Sequence, residues 1–172
     1  MLDFLSEENI QIHKESVQHK KHLLSIIEKS IEGIKSKNIR DIIKQKMSRK
    51  DKEDTLSLLS DIRLHELFFS SFSDNSYSPS EPLRSMYGSE AAFLNELFSA
   101  CMREDMGFVC VYYNGRKVTL SASQKELYRL FLESDPIFAV DVSEHAYFLD
   151  YGFDKERYLR SALPYLDLSR IK

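Results

Sequence analysis

Asp141 and His145 stand four residues apart in Asp141-Val-Ser-Glu-His-Ala-Tyr-Phe-Leu-Asp-Tyr151, at the end of an apolar run. A carboxylate and an imidazole together form a mixed oxygen and nitrogen donor set. That set suits Fe, Mn or Zn better than Ca or Mg. The spacing alone also fits a blander role, a helix N-terminal acid beside a partly buried histidine. The other histidines are His13, His19, His22 and His65. His13 lies close to the apolar stripe of the first helical segment, and His65 sits inside Leu64-His-Glu-Leu-Phe-Phe69. One histidine from each of two antiparallel helices, joined by Asp141 and His145, makes a set of three imidazoles and one carboxylate. Such a set leaves a coordination position open, as a catalytic metal requires.

Three kinds of element must bring these groups together. The first half reads as helix. Ser6 is a good N-cap, Glu7 and Glu8 complement the first-turn dipole, and Ile10, Val17, Leu24, Ile27, Ile31 and Ile34 mark an apolar stripe. The stripe continues through Ile39, Ile42, Ile43 and Met47, as one long helix or as two with a break near Gly33. Ser48 to Asp54 reads as a charged turn, Leu56 to Phe72 as a second helix, and Ser70 to Pro82 as a loop.

The second half changes character. Ser89 caps a helix running to Arg103. Phe108 to Tyr113 is β-rich, Asn114-Gly115 is a hairpin signal, and Lys117 to Leu120 pairs back. Gln124 to Glu133 has helical character, and Ile137 to Val140 is a third strand that carries Asp141 out at its end. Glu144 to Tyr151 and Asp154 to Leu166 are helical. The expected class is α+β: an N-terminal antiparallel helical hairpin (1–82), then a small three-stranded antiparallel sheet with surrounding helices (83–172).

Composition bounds the partners. The chain has 172 residues, 42% hydrophobic and 30% charged, enough for a sizeable core. A net charge of −3 argues against a general nucleic-acid binder. Cys101 and Cys110 make neither a disulfide framework nor a zinc pattern. Met1-Leu2-Asp3-Phe4 lacks the pattern of a secretory leader, and no run of 18 apolar residues exists. The expectation is a reducing compartment, cytoplasm or organelle matrix, and no membrane.

With these residues in view, the chain resembles the iron/manganese superoxide dismutase family. The family's Asp-Val-Trp-Glu-His-Ala-Tyr-Tyr is present as Asp141-Val-Ser-Glu-His-Ala-Tyr-Phe148, followed by Arg157-Tyr158-Leu159 where the family has Arg-x-x-Tyr. Its Asn-His-x-x-Phe-Trp appears as Leu64-His65-Glu-Leu-Phe68-Phe69, and its Ser-x-Glu-Thr-x-x-x-His as Ser6 to His13. Tyr87-Gly88-Ser89 is similar to its Phe-Gly-Ser, and Gly107 to Val111 to its Gly-Trp-Ala-Trp-Leu strand. The resemblance implies four metal ligands at His13, His65, Asp141 and His145, with His19 a rival for the first. It also implies one Mn or Fe per chain. A glutamine that contacts metal-bound solvent falls on Gln124, after the hairpin, which leans to Mn; the second-helix alternative is Asp61. The implied activity is dismutation. One superoxide gives its electron to the metal and leaves as O₂; a second takes that electron and two protons to become H₂O₂. The implied assembly is a homodimer, with Glu144 reaching the partner's last-ligand histidine and Tyr147 beside it.

The departures from the family are specific. Four and eight residues after the first ligand, where the family has a funnel-lining His and Tyr, stand Val17 and Lys21. Lys21 is a cation for the mouth of that funnel. Phe69, Phe108, Cys110 and Ser143 stand where the family packs Trp around the metal, and the chain has no Trp. Losses of this kind cost roughly 10–100-fold in metal affinity or activity. The alternative to an active dismutase is therefore a fold relative without dismutase activity. Such a relative would be an interaction or scaffold component, like the dismutase-like subunits of some mitochondrial ribosomes, and would meet nucleic acid only through such an assembly. A different metal-dependent oxidoreductase on the same fold is a third reading.

Overall fold

Helix α1 (Glu7–Ser30) begins where the Ser6 hydroxyl accepts the Asn9 backbone N–H at 3.1 Å. In the computed structural model, which describes residues 3–30, 37–73, 80–123 and 126–172, α1 is followed by α2 (Ile39–Lys44) and α3 (Arg49–Ser70). The expected break near Gly33 lies outside the described residues. Helices α1 and α3 run antiparallel: His13 faces His65, and further along α1 Lys20 meets Asp61.

Helix α3 starts seven residues earlier than the sequence reading, and Ser48–Asp54 is not a turn. The Ser48 hydroxyl accepts the Asp51 N–H at 3.2 Å and donates to the Asp51 carboxylate at 2.6 Å. Arg49 and Glu53 form an i,i+4 ion pair at 2.7 Å. The charge run is the solvated opening of a helix, with an N-cap that a reading for turn composition overlooks. At its other end α3 stops at Ser70 rather than Phe72, because Phe72 leaves to bridge Leu166.

Part of the expected loop is also helix. Helix α4 (Glu81–Tyr87) is capped by Ser80, carries Pro82 in its first turn where no N–H is missed, and ends at Gly88 with φ of 76°. Helix α5 (Glu90–Arg103) is capped by Ser89, as the sequence predicts.

The sheet has the order β2-β1-β3, all antiparallel: β1 (Phe108–Tyr113), β2 (Val118–Ser123) and β3 (Phe138–Asp141). Phe108 pairs with Ser123 on one side and Asp141 on the other, so β1 sets the height of Asp141. The helix expected over 124–133 is a 3₁₀ run at Leu127–Phe131. Helices α6 (Glu144–Tyr151) and α7 (Lys155–Ala162) follow. Helix α3 packs on β3, α1 against α6, and α5 against α7. The hairpin and the sheet thereby share a core that includes Phe68, Phe93, Phe108, Phe138, Tyr158 and Leu159. The class is the expected α+β arrangement. Among the described residues no helix is long and apolar enough to cross a membrane.

The capped start of α3 sets one expectation. Ser48→Ala should lower unfolding free energy by about 1 kcal/mol in urea denaturation. Unchanged stability would return residues 49–54 to the role of a connector.

Candidate metal centre

Four polar groups converge below the α1–α3 pair. On α1, the His13 ring places Nδ1 2.9 Å from the Asn9 carbonyl, four residues earlier. On α3, His65 places Nδ1 2.8 Å from the Asp61 carbonyl, again four residues earlier. A carbonyl only accepts, so each Nδ1 donates to it, and Nε2 is the atom that each neutral ring would offer to a metal. A backbone carbonyl holding the far ring nitrogen is the usual partner of a metal-binding histidine. Both rings are buried, at 3% and 2% exposure.

Asp141 ends β3 and is fully buried. Its Oδ1 accepts the Ser143 backbone N–H at 2.9 Å, and its carbonyl accepts the Tyr158 hydroxyl at 3.0 Å. These bonds fix the corner into α6 and aim Oδ2 at the histidines. Oδ2 is 3.2 Å from His145 Nε2 and 3.8 Å from His65 Nε2. Oδ2 therefore has the imidazole nitrogens of His145 and His65 beside it, and among the described residues the buried His13 Nε2 has no hydrogen-bond partner. Donor atoms of His13, Asp141 and His145 all lie within 4.8 Å of one another. The ring centroids of the three histidines are 5.5–6.1 Å apart.

Burial and charge act on these groups in opposite senses. Burial is the largest influence on His13 and lowers its pKa, against the Asn9 carbonyl and Asp141, which raise it. Contact with the Asp141 carboxylate raises the His145 pKa, against partial burial, although the His145 side chain is 58% exposed. Burial pushes Asp141 up, but His145, His65 and the Ser143 N–H outweigh it and hold the carboxyl below its ordinary range. The site thus presents a carboxylate and, in His13, a ring that burial favours as neutral, while His145 must lose its proton before it can bind a metal.

The sequence-predicted donors His13, His65, Asp141 and His145 are therefore gathered in one place. The rival His19 is exposed on α1 and stands apart from this cluster. Gln124 lies outside the described residues. The second-helix alternative, Asp61, is engaged elsewhere: its carboxylate holds Lys20 in an ion pair and lies 3.5 Å from His65 Nδ1. Phe108 meets His65 edge-on at 5.2 Å, and Phe69 meets His13 edge-on at 5.9 Å. The Ser143 hydroxyl accepts the Gly107 N–H at 2.8 Å. Glu144 is exposed, and Tyr147 is buried, stacked on Tyr158 at 5.1 Å. Cys101 and Cys110 are buried and play no part as ligands; burial pushes the Cys101 thiol up to about 12 and raises Cys110 too.

Sequence reasoning missed Asn9 and Asp150. The Asn9 amide donates to the Ala146 carbonyl at 3.2 Å and to Asp150 Oδ2 at 2.9 Å, and Asp150 also accepts the Ser6 N–H at 3.1 Å. These bonds lock α1 to α6 and so fix His13 against His145. The available signal was a polar residue one helical turn before each ligand, Asn9 before His13 and Asp61 before His65.

Comparison with known families accords with this geometry. The model of the iron/manganese superoxide dismutases, C-terminal domain, matches residues 77–172, more than half of the chain and including Asp141 and His145. No curated protein matches the chain. The family match and the four gathered donors lead to one assignment: the chain belongs to the iron/manganese superoxide dismutase family.

Proposed function

We propose that the chain is a metal-dependent superoxide dismutase, with His13, His65, Asp141 and His145 holding one manganese or iron ion. One observation carries this reading: His13 Nε2, buried and without a hydrogen-bond partner among the described residues, lies with Asp141 Oδ2 and His145 within 4.8 Å of one another, a cluster of donors around one point. A carboxylate fully buried among imidazoles is costly to desolvate, and a bound cation offsets that cost. The oxygen and nitrogen donors suit Fe and Mn. The ion, when bound, supplies one-electron cycling between its +3 and +2 states.

The residues have separable roles. Asp141 offsets the ion's charge. The carbonyls of Asn9 and Asp61 keep His13 and His65 in the donor tautomer. Phe69 and Phe108 exclude water from the inner faces of those rings. Manganese is the favoured ion, because Asp61 is tied to Lys20 and is a poor substitute for a solvent-binding glutamine, which leaves Gln124 for that task. A homodimer through the α6 corner accounts for the apolar surface there, where Phe148, Leu149 and Phe153 are 47%, 48% and 81% exposed. In that dimer Glu144 would reach the partner's His145.

A scaffold protein without dismutase activity is the second reading. Phe108 beside His65, Ser143 at the corner and Val17 on α1 favour it, since each stands where the family carries a Trp or a proton-relaying His.

Three outcomes are expected. Protein purified without chelator should carry close to one Mn or Fe per chain, and His65→Ala should lose metal and superoxide consumption together; metal with no superoxide consumption would select another reaction or the scaffold. Metal uptake by the metal-free protein should weaken as pH falls. His145, whose pKa the Asp141 carboxylate raises, must shed its proton, whereas burial lowers the pKa of His13 and favours its neutral form. The signature is proton release on metal addition below that raised pKa, and a pH-independent affinity between pH 5 and 8 would contradict it. Finally, Phe153→Asp should halve the mass seen by light scattering from two 20.1 kDa chains to one.

A further inference from the structure

We propose that Lys20, restrained by Asp61, is the residue that positions a small monoanion at this centre, so that the anion approaches past Lys20 and not past Lys21. The inference rests on the metal-bound reading above. A cavity of about 280 Å³ opens on the site and is lined by Ile12, His13, Ser16, Lys20, His65 and His145. It lies just below the usual size range of small-molecule pockets and admits a small anion. Lys20 supplies its one cationic side chain besides the histidines.

Helical geometry explains the placement. Positions 13, 16 and 20 fall on one stripe of α1, spaced i, i+3 and i+7. Val17 and Lys21 fall on the neighbouring stripe. They line a separate groove with Lys14, Gln18, Glu66, Phe69 and Ser70, into which none of the four donors opens. Lys21 pairs there with Glu66, and both side chains are about half exposed, at 46% and 51%. Charge at such a surface is screened. The sequence reading that put Lys21 at the mouth of the funnel is therefore displaced by one residue.

The Lys20–Asp61 pair is better sheltered, with side chains 25% and 22% exposed. Its field acts through a less polar medium. An ammonium has three N–H donors, and the carboxylate occupies one. Asp61 thus serves as a brake: it holds the ammonium at the cavity wall and cancels part of its attraction for an anion. The two residues should have opposite effects on anion affinity.

The test uses metal-loaded protein and azide as the monoanion, titrated optically, with metal content measured for every variant. Lys20→Gln should weaken azide binding roughly tenfold and flatten its dependence on ionic strength, since one sheltered charge is worth that order. Lys20→Arg should restore affinity to within about twofold, which a merely structural loss would not allow. Asp61→Asn should tighten azide binding roughly threefold, and Lys21→Gln should change it by less than about twofold. Unchanged azide affinity in Lys20→Gln carrying one metal per chain overturns this proposal and leaves the metal reading intact. A larger effect at Lys21 than at Lys20 does the same. Wild-type protein that takes up no metal overturns the metal reading, and this inference with it.

Discussion

The structure depends on how it accommodates one fully buried carboxylate. Asp141 is placed at the end of β3, where pairing with Phe108 fixes its height in the sheet. Its carbonyl is held by Tyr158 from α7 and its Oδ1 by the backbone of the turn. Every neighbouring element contributes to keeping one oxygen open toward the histidines. A charge so placed is tolerable only if something of opposite sign completes it. Among the described residues the imidazoles of His13, His65 and His145 surround it, and two of them turn Nδ1 to a backbone carbonyl. The fold therefore carries a built-in demand for a cation, and the hairpin and the sheet meet where that demand arises.

The two helices satisfy this demand by the same local device. In each, a histidine turns back to the carbonyl four residues earlier, and a side chain at that same earlier position ties the helix to a neighbour. Asn9 does this toward α6 and Asp61 toward α1. The two histidines are thereby pre-set by two independent cross-links, so their spacing does not depend on side-chain packing alone. Pre-set donors suit the proposed redox role, because reorganisation at each electron transfer would then be small.

Much of this was legible in the sequence. The four donors were identifiable because their residue types are rare among apolar neighbours and their order matches a family pattern. The hairpin strands were identifiable from β-branched and aromatic runs around Asn114-Gly115. The early start of α3 was not legible, because charge density at a helix opening has the same composition as a turn; only the Ser48–Asp51 cap separates them. Helix α4 was hidden by Pro82, which reads as a breaker unless placed in a first turn. The Lys20–Lys21 distinction was also out of reach, since it depends on which stripe of α1 faces the cavity, a matter of rotation set by tertiary packing. Asn9 and Asp150 are far apart in sequence and ordinary in type, so their bond leaves no local trace.

The two cysteines acquire a meaning from the chemistry proposed beside them. The proposed dismutation would release hydrogen peroxide beside the chain's own side chains, an oxidant that attacks thiolates. Cys101 and Cys110 are buried and held as neutral thiols, Cys101 with a pKa of about 12, so neither offers a thiolate. Met102 and Met106, on the loop side of α5, have no such shelter, at 39% and 54% exposure. Oxidative wear should therefore begin as methionine sulfoxide beside Gly107, the residue whose N–H is held by Ser143. Damage would reach the corner that carries Asp141 before it reached any thiol.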